Sequence, residues 1–243
     1  MEDIFSRTRM LLGDAALERL RKSRVAVFGV GGVGGYVVEV LARSGVGAID
    51  VFDNDRVSPS NINRQIIALH STLGQYKVDV AAARIRDINP ECIVTVHRMF
   101  YLPETADEVD LSVYDYVVDC IDTVTAKIEL IRRCHRQDIP LLVCMGAANK
   151  MDPTAFRVSD LAKTKVDPLA KVIRRKLRPE GIRHVKVVYS EEIPMKPQFF
   201  ETSDSNESLN SPKKNIPASN AFVPAAEGLV AGGEVVKELM VES

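Results

Sequence analysis

The chain has four cysteines, Cys92, Cys120, Cys134 and Cys144, and no two of them form a C-x-x-C pair. A tetrahedral zinc site of four thiolates, usually supplied by two such pairs, is therefore not available, and no structural zinc is expected. Its four histidines, His70, His97, His135 and His184, are scattered, and none is assigned a catalytic role. Long apolar runs are missing as well. The longest is interrupted by glycines and by Glu39, which excludes a membrane span. Nothing at the N-terminus resembles a signal peptide, so a soluble cytoplasmic protein is expected. Charge of one sign is also absent. The 32 basic and 33 acidic residues leave a net charge of −1, so no global field draws the chain onto nucleic acid.

At 243 residues and 46% hydrophobic, the chain has enough apolar surface for one core, and residues 1–243 are read as a single domain. Its most informative stretch runs from Val25 to Lys77. Val25 to Phe28 suits a buried strand, and Gly29, Gly31 and Gly34 come next with the spacing G-x-G-x-x-G, Gly32 lying between them. Tyr36 to Arg43 then shows helical apolar spacing through Val37, Val40 and Leu41. Glycines suit such a turn because a side chain would keep the backbone away from a phosphate. The helix behind it points its free N–H groups at that phosphate. A second strand, Ala48 to Phe52, ends at Asp53, the position where folds of this kind place an acid on a ribose hydroxyl.

The residues beyond Asp53 narrow the class. Asp55, Asn61, Asn63, Arg64, Gln65 and Lys77 crowd into the next two dozen positions. A dehydrogenase binds its nicotinamide with later loops and needs no such cluster here. Two cations, an extra carboxylate and several amides suit a triphosphate with a metal. Arginine offers a planar fork to phosphate oxygens and lysine a point charge. A solvated, charged helix face is the plainer reading of any one of these residues.

The run D-N-D-R-V-x-x-S-N-x-N-R-Q from Asp53, then Lys77 and a later C-I-D-T, resembles the ThiF/MoeB/HesA superfamily of ATP-dependent adenylating enzymes, related to ubiquitin-activating proteins. The resemblance implies ATP and Mg2+ as cofactors. Asp53 would hold the ribose, with Gly29, Gly31, Gly32 and Asp55 in the nucleotide site. Arg64 and Lys77 would grip the β- and γ-phosphates, with Asn61 and Gln65 beside them, and Asp122 of C-I-D-T would hold Mg2+ near the α-phosphate.

Alternating strand and helix patterns continue down the chain. Cys92 to Val96, Tyr114 to Ile121 and Ile139 to Met145 read as strands, and Ile128 to His135 as a helix. The fold class expected is α/β, a Rossmann-like, mainly parallel sheet with helices on both faces. Beyond the fifth strand, Ala155 to Val158 and Val185 to Tyr189 read as extra, antiparallel strands flanking a basic helix. Glu201 to Lys214 is polar, a flexible linker or a flap over the site. Pro217 to Met240 reads as a helix returning to the sheet or to a partner subunit.

The cysteines separate the branches of the superfamily. Those that activate sulfur carriers often hold the paired-cysteine zinc, and thioester-forming ones place a cysteine after the fifth strand. This chain has neither. D-P-T-x-F-x-V-x-D-L-A-K-T from Asp152, D-P-L-A from Asp167 and S-N-A-F-V-P-A from Ser219 are similar to the tRNA threonylcarbamoyladenosine dehydratase family. That resemblance implies adenylation of the threonylcarbamoyl carboxylate on tRNA adenosine 37, then ring closure by the group's own carbamoyl with loss of AMP. An intramolecular nucleophile needs no enzyme thiol.

A tRNA substrate calls for a basic surface. Lys171, Arg174, Arg175 and Arg178 lie in a lysine- and arginine-rich segment and are the candidates for phosphate contact, against the plainer reading of a solvated helix face. The resemblance also implies a homodimer in which an N-terminal arginine crosses to the partner's triphosphate. Arg9 fits best, with Arg7 as runner-up. Two alternatives remain: activation of the C-terminus of a small sulfur-carrier protein, which the main reading does not involve, and a nucleotide-binding sensor without turnover.

Overall fold

A computed structural model describes residues 3–196, 198 and 218–241. The polar stretch 201–214 lies outside them. Among the described residues, seven strands form one sheet: β1 (Arg24–Phe28), β2 (Ala48–Phe52), β3 (Ile93–His97), β4 (Tyr116–Asp119), β5 (Leu141–Cys144), β6 (Phe156–Asp160) and β7 (Lys186–Ser190). Their order is β3-β2-β1-β4-β5-β7-β6, parallel throughout except for the antiparallel β6–β7 pair. Of the two extra strands, β7 continues the parallel sheet beside β5 and only β6 runs against it. The helix between them carries the chain back, so that β7 enters in the direction of β5.

Side-chain alternation along β1 shows the layers. Val25 and Val27 face one core, with α2 (Asp14–Lys22), α3 (Gly34–Ser44), α4 (Lys77–Ile88) and α7 (Val223–Leu239) packed over it. Ala26 and Phe28 face the other side, under α5 (Val124–Gln137). Beside α5, α6 (Pro168–Leu177) covers Val143 and Val187. Strands buried on both faces read as unbroken apolar runs, which is why β1, β4 and β5 were visible in the sequence.

The helix ends have local causes. Gly45, at φ 91°, closes α3 in the left-handed conformation that costs glycine least. Asp167 caps α6 by accepting from the Ala170 N–H, and Pro168 occupies the first turn, where its missing N–H is no loss. The N-terminal periodicity resolves into two helices, α1 (Ser6–Leu12) and α2, broken at Gly13. Ala16, Leu17 and Leu20 are buried, whereas Leu11 is 83% exposed. Within the chain, α7 packs against α3. A Cβ on Gly232 would lie 2.7 Å from the Val40 Cβ, so small residues set how closely the two helices approach.

The fourth strand is shorter than its apolar run. It ends at Asp119, and Cys120 to Asp122 leave the sheet as a loop. Asp122 therefore sits on that loop, at the carboxyl edge of the sheet.

Candidate functional site

A cavity of about 680 Å³ opens at the carboxyl ends of β1, β2, β4 and β5, where open α/β sheets bind ligands. Its volume is that of a small-molecule or cofactor site. Gly29, Gly31, Gly32, Asp53, Asp55, Asn61, Arg64, Gln65, Lys77 and Asp122 all line it. Ten positions spread over almost a hundred residues thus meet in one place, because each comes after a parallel strand or enters the helix behind it.

The glycines divide into two kinds. Gly29 has φ 86°, and a Cβ there would stand 2.8 Å from the Cys120 carbonyl oxygen; one on Gly34 would fall 1.8 Å from the Gly29 oxygen. These two shape the turn itself. At Gly31 a Cβ would meet only the Gln65 Nε2, at 3.7 Å. The protein leaves that space open toward the cavity, and the α3 N-terminus behind it has no side-chain cap.

Asp53 spends both oxygens on backbone: Oδ2 accepts from the Val30 N–H at 2.8 Å and Oδ1 from the Asp55 N–H at 2.8 Å. Burial raises its carboxyl above the ordinary value, opposed by the charge of Lys77. Lys77 opens α4 with its side chain buried, and its Nζ lies 2.7 Å from the exposed Asp55 carboxylate. Arg64 donates through Nη1 to the Ser60 carbonyl and the Asn63 side chain, at 2.7 and 2.9 Å. Asp122 is exposed, and among the described residues its carboxylate accepts one hydrogen bond, a 3.3 Å contact from the Thr123 hydroxyl.

Arg9 lies elsewhere. It is ion-paired to Asp3 and Asp14 of its own chain and does not line the cavity. On α6, Lys171 and Arg175 are exposed, as is Arg178 just beyond it, but Arg174 turns inward. Its Nη1 donates to the Thr164 hydroxyl at 2.6 Å and to the carbonyls of Thr164 and Leu161. That nitrogen ties the helix to the segment before it.

Four polar residues stand at the β5 side of the site: Lys127, Lys150 and Glu227, which the sequence does not single out, and Asp167, which it marks only as the start of the D-P-L-A motif. Lys127 is buried, with Nζ 2.7 Å from the Cys144 carbonyl and 3.2 Å from Asp119. Lys150 Nζ bonds the Gly146 carbonyl at 2.9 Å and Asp167 at 3.0 Å. Glu227 is fully buried; its Oε1 accepts from the Gly146 N–H at 3.1 Å and burial pushes its carboxyl up to about 7. Lys127 and Glu227 sit on the buried stripes of α5 and α7, among residues such as Ile131, Cys134, Ala231 and Val235. The only signal was a charge on an apolar stripe.

All four cysteines are free. Burial pushes the thiols of Cys92 and Cys134 up to about 11 and about 12. Cys120 and Cys144 touch at 3.8 Å, and that contact with burial holds the Cys144 thiol well above its usual value. A thiol so raised is a poor source of thiolate. Among the described residues, no group of three or more His, Cys, Asp or Glu side chains is placed to hold a metal, and no helix is long and apolar enough to cross a membrane.

Comparison with known proteins gives consistent matches. The model of the ThiF family matches residues 5–209. The tRNA threonylcarbamoyladenosine dehydratase of Bacillus subtilis is 49% identical over 97% of this chain and 94% of its own length. The protein of the same name from Escherichia coli is 38% identical over 98% of this chain and 94% of its own. A crystal structure of the E. coli tRNA N6-threonylcarbamoyladenosine dehydratase in complex with ATP superposes with a TM-score of 0.84, covering 97% of this chain and 93% of that one at 38% identity.

Proposed function

This chain belongs to the ThiF family, and from that premise we propose that it is an ATP-dependent dehydratase acting on the threonylcarbamoyl group of a tRNA adenosine. One observation carries the proposal: the ten nucleotide-site residues read from the sequence all line one cavity at the ligand edge of the sheet. The relatives matched over nearly the whole chain share that activity in their names.

A carboxylate is a poor electrophile until one of its oxygens becomes a phosphate leaving group. Asp53 holds the ribose end of ATP, and the open backbone at Gly31, with the α3 N-terminus behind it, receives the phosphates. Arg64 and Lys77 neutralise charge on the β- and γ-phosphates as pyrophosphate leaves. Asp122 is the residue that would hold Mg2+. Its carboxylate is exposed at the cavity and almost unengaged, and Mg2+ commonly takes one or two carboxylates together with substrate phosphates. Bound there, the ion would supply further neutralisation of phosphate charge. Once the acyl adenylate exists, the carbamoyl of the same group is held beside it, and proximity replaces an enzyme nucleophile. The raised thiols agree with a reaction that uses no cysteine.

Pro168 and Leu169 line the cavity, so α6 leads away from its mouth and carries Lys171 and Arg175 outward, with Arg178 just beyond its end. These three position tRNA phosphates without reading sequence. Arg9, or Arg7, acts on the site of a partner subunit in a homodimer. Activation of a small carrier protein's C-terminus is the less supported reading, since the whole-chain relatives bear the dehydratase name.

The test is direct. The protein is incubated with ATP, Mg2+ and tRNA bearing threonylcarbamoyladenosine, and the nucleoside mass should fall by one water with AMP released. Pyrophosphate exchange that depends on a carrier protein and ignores tRNA would replace this function with the alternative.

A further inference from the structure

Glu227 sits one turn into α7, where the helix passes between the glycine turn and the turn after β5. Pro224, one turn earlier, would stand 3.2 Å from a Cβ on Gly32, and Glu227 itself bonds the Gly146 N–H. Glu227 lines the cavity, yet its other oxygen, Oε2, is buried and has no hydrogen-bond partner among the described residues. A buried carboxylate oxygen left unpaired is expensive. If Glu227 served only to tether Gly146, a glutamine would do it as well.

The charged and titratable groups facing it are Lys150, Asp167, Lys127 and the Cys144 thiol. Neither lysine satisfies Oε2. Lys150 is committed to Gly146 and Asp167, and Lys127 to Asp119 and Cys144. The free oxygen therefore points to a donor that the described residues do not supply.

Strand order says which part of the substrate brings that donor. Along the cavity stand the ends of β2, β1, β4 and β5, carrying Asp53, the glycine turn, Asp122 and Gly146. With the ribose at Asp53 and the phosphates at the glycine turn, the acyl group lies toward Gly146 and Glu227. Ring closure on the acyl adenylate forms one bond from the carbamoyl to the acyl carbon and breaks the bond from that carbon to the AMP oxygen. It also releases the carbamoyl N–H proton, which needs an acceptor screened from bulk water.

We propose that Glu227 is a catalytic base of this site, its Oε2 accepting the carbamoyl N–H and taking its proton as the ring closes and AMP departs. This rests on the dehydratase reading above. A carboxyl raised by burial to about 7 is well matched to that task at neutral pH.

The experiment compares wild type with Glu227→Gln, which keeps an acceptor for Gly146 and replaces Oε2 with a nitrogen that cannot accept a proton. Both are given ATP, Mg2+ and tRNA bearing threonylcarbamoyladenosine, and AMP and the dehydrated nucleoside are measured separately. Without its base, the acyl adenylate should hydrolyse instead of closing, so dehydrated product per AMP should fall about 100-fold, the low end for general-base catalysis. An unchanged ratio overturns the proposal. Should Glu227→Gln not fold, the wild type decides alone: ring closure in a single turnover should rise with pH up to about 7 and then level off. A profile flat from about pH 5.5 to 8.5 overturns it. Failure of the wild type to release pyrophosphate with this tRNA would instead bring down the dehydratase reading, and the role of Glu227 with it.

Discussion

Two alanines in one turn should behave in opposite ways. Gly34→Ala would drive a Cβ to 1.8 Å from the Gly29 carbonyl oxygen, a separation no side-chain repacking relieves because the opposing atom is backbone. The turn after β1 would have to open, and the expected cost exceeds about 3 kcal/mol, the range reached when a backbone constraint at a special position is broken. Gly31→Ala meets only the Gln65 side chain at 3.7 Å, an ordinary contact. Its effect on the unfolded chain should stabilise the protein by about 0.4–1 kcal/mol. Yet the same methyl enters the space through which backbone N–H groups approach a phosphate. Losing one hydrogen bond to a charged oxygen costs about 1.5–3 kcal/mol, which is about 10- to 150-fold in affinity. Thermal unfolding and calorimetric titration with ATP–Mg2+ separate the two effects. Gly31→Ala should melt no lower than wild type and bind ATP at least about tenfold more weakly. Unchanged affinity in a folded Gly31→Ala would refute the assignment of this turn to the triphosphate.

Asp122→Ala removes an exposed side chain with one weak hydrogen bond, so the melting temperature should hold while AMP formation falls by about 10²- to 10³-fold, the effect of losing one electrostatic transition-state contact; near-normal turnover would take Asp122 out of the mechanism. Mixing Arg9→Ala with Lys77→Ala subunits should restore part of the activity that each lacks alone, because one of the two sites regains both cations. No recovery in proven heterodimers would end the proposed role of Arg9 across an interface. Glu227 also has a stability signature: its folded carboxyl titrates near 7 against 4.5 unfolded, so between those values the native state binds the extra proton and stability falls as pH rises. The loss should reach about 3 kcal/mol by pH 8 and vanish in Glu227→Gln, as read from melting curves at pH 5 and pH 8; identical pH dependence in the two proteins would contradict it.

Much of the candidate site is legible in the sequence because its residues obey local rules. Gly29 to Gly34, Asp53 and Lys77 lie at the ends of short apolar runs or at the start of a helix. In a parallel sheet every such end falls on one edge. The departures from these rules have local causes too. The apolar Cys120 and Ile121 extend the pattern of the fourth strand through Ile121, but they belong to the cavity wall and not to the ladder. The basic run around α6 looked uniform, although Arg174 turns inward onto Thr164 while its neighbours stay in solvent. Composition carries no information about which side of a helix a particular guanidinium takes.

The chain's own pattern implies the parallel α/β architecture, the glycine turn, the acid after β2 and the cations beyond it. Each of these depends on periodicity or on spacing within a few turns of chain. It takes the folded chain to show that β7 runs parallel to β5, that α7 packs against α3 within the same chain, and that Lys127, Lys150, Asp167 and Glu227 surround the turn after β5. Those four residues span a hundred positions and come from different elements. The charge of one matters only because burial has removed the water that would otherwise screen it from the others.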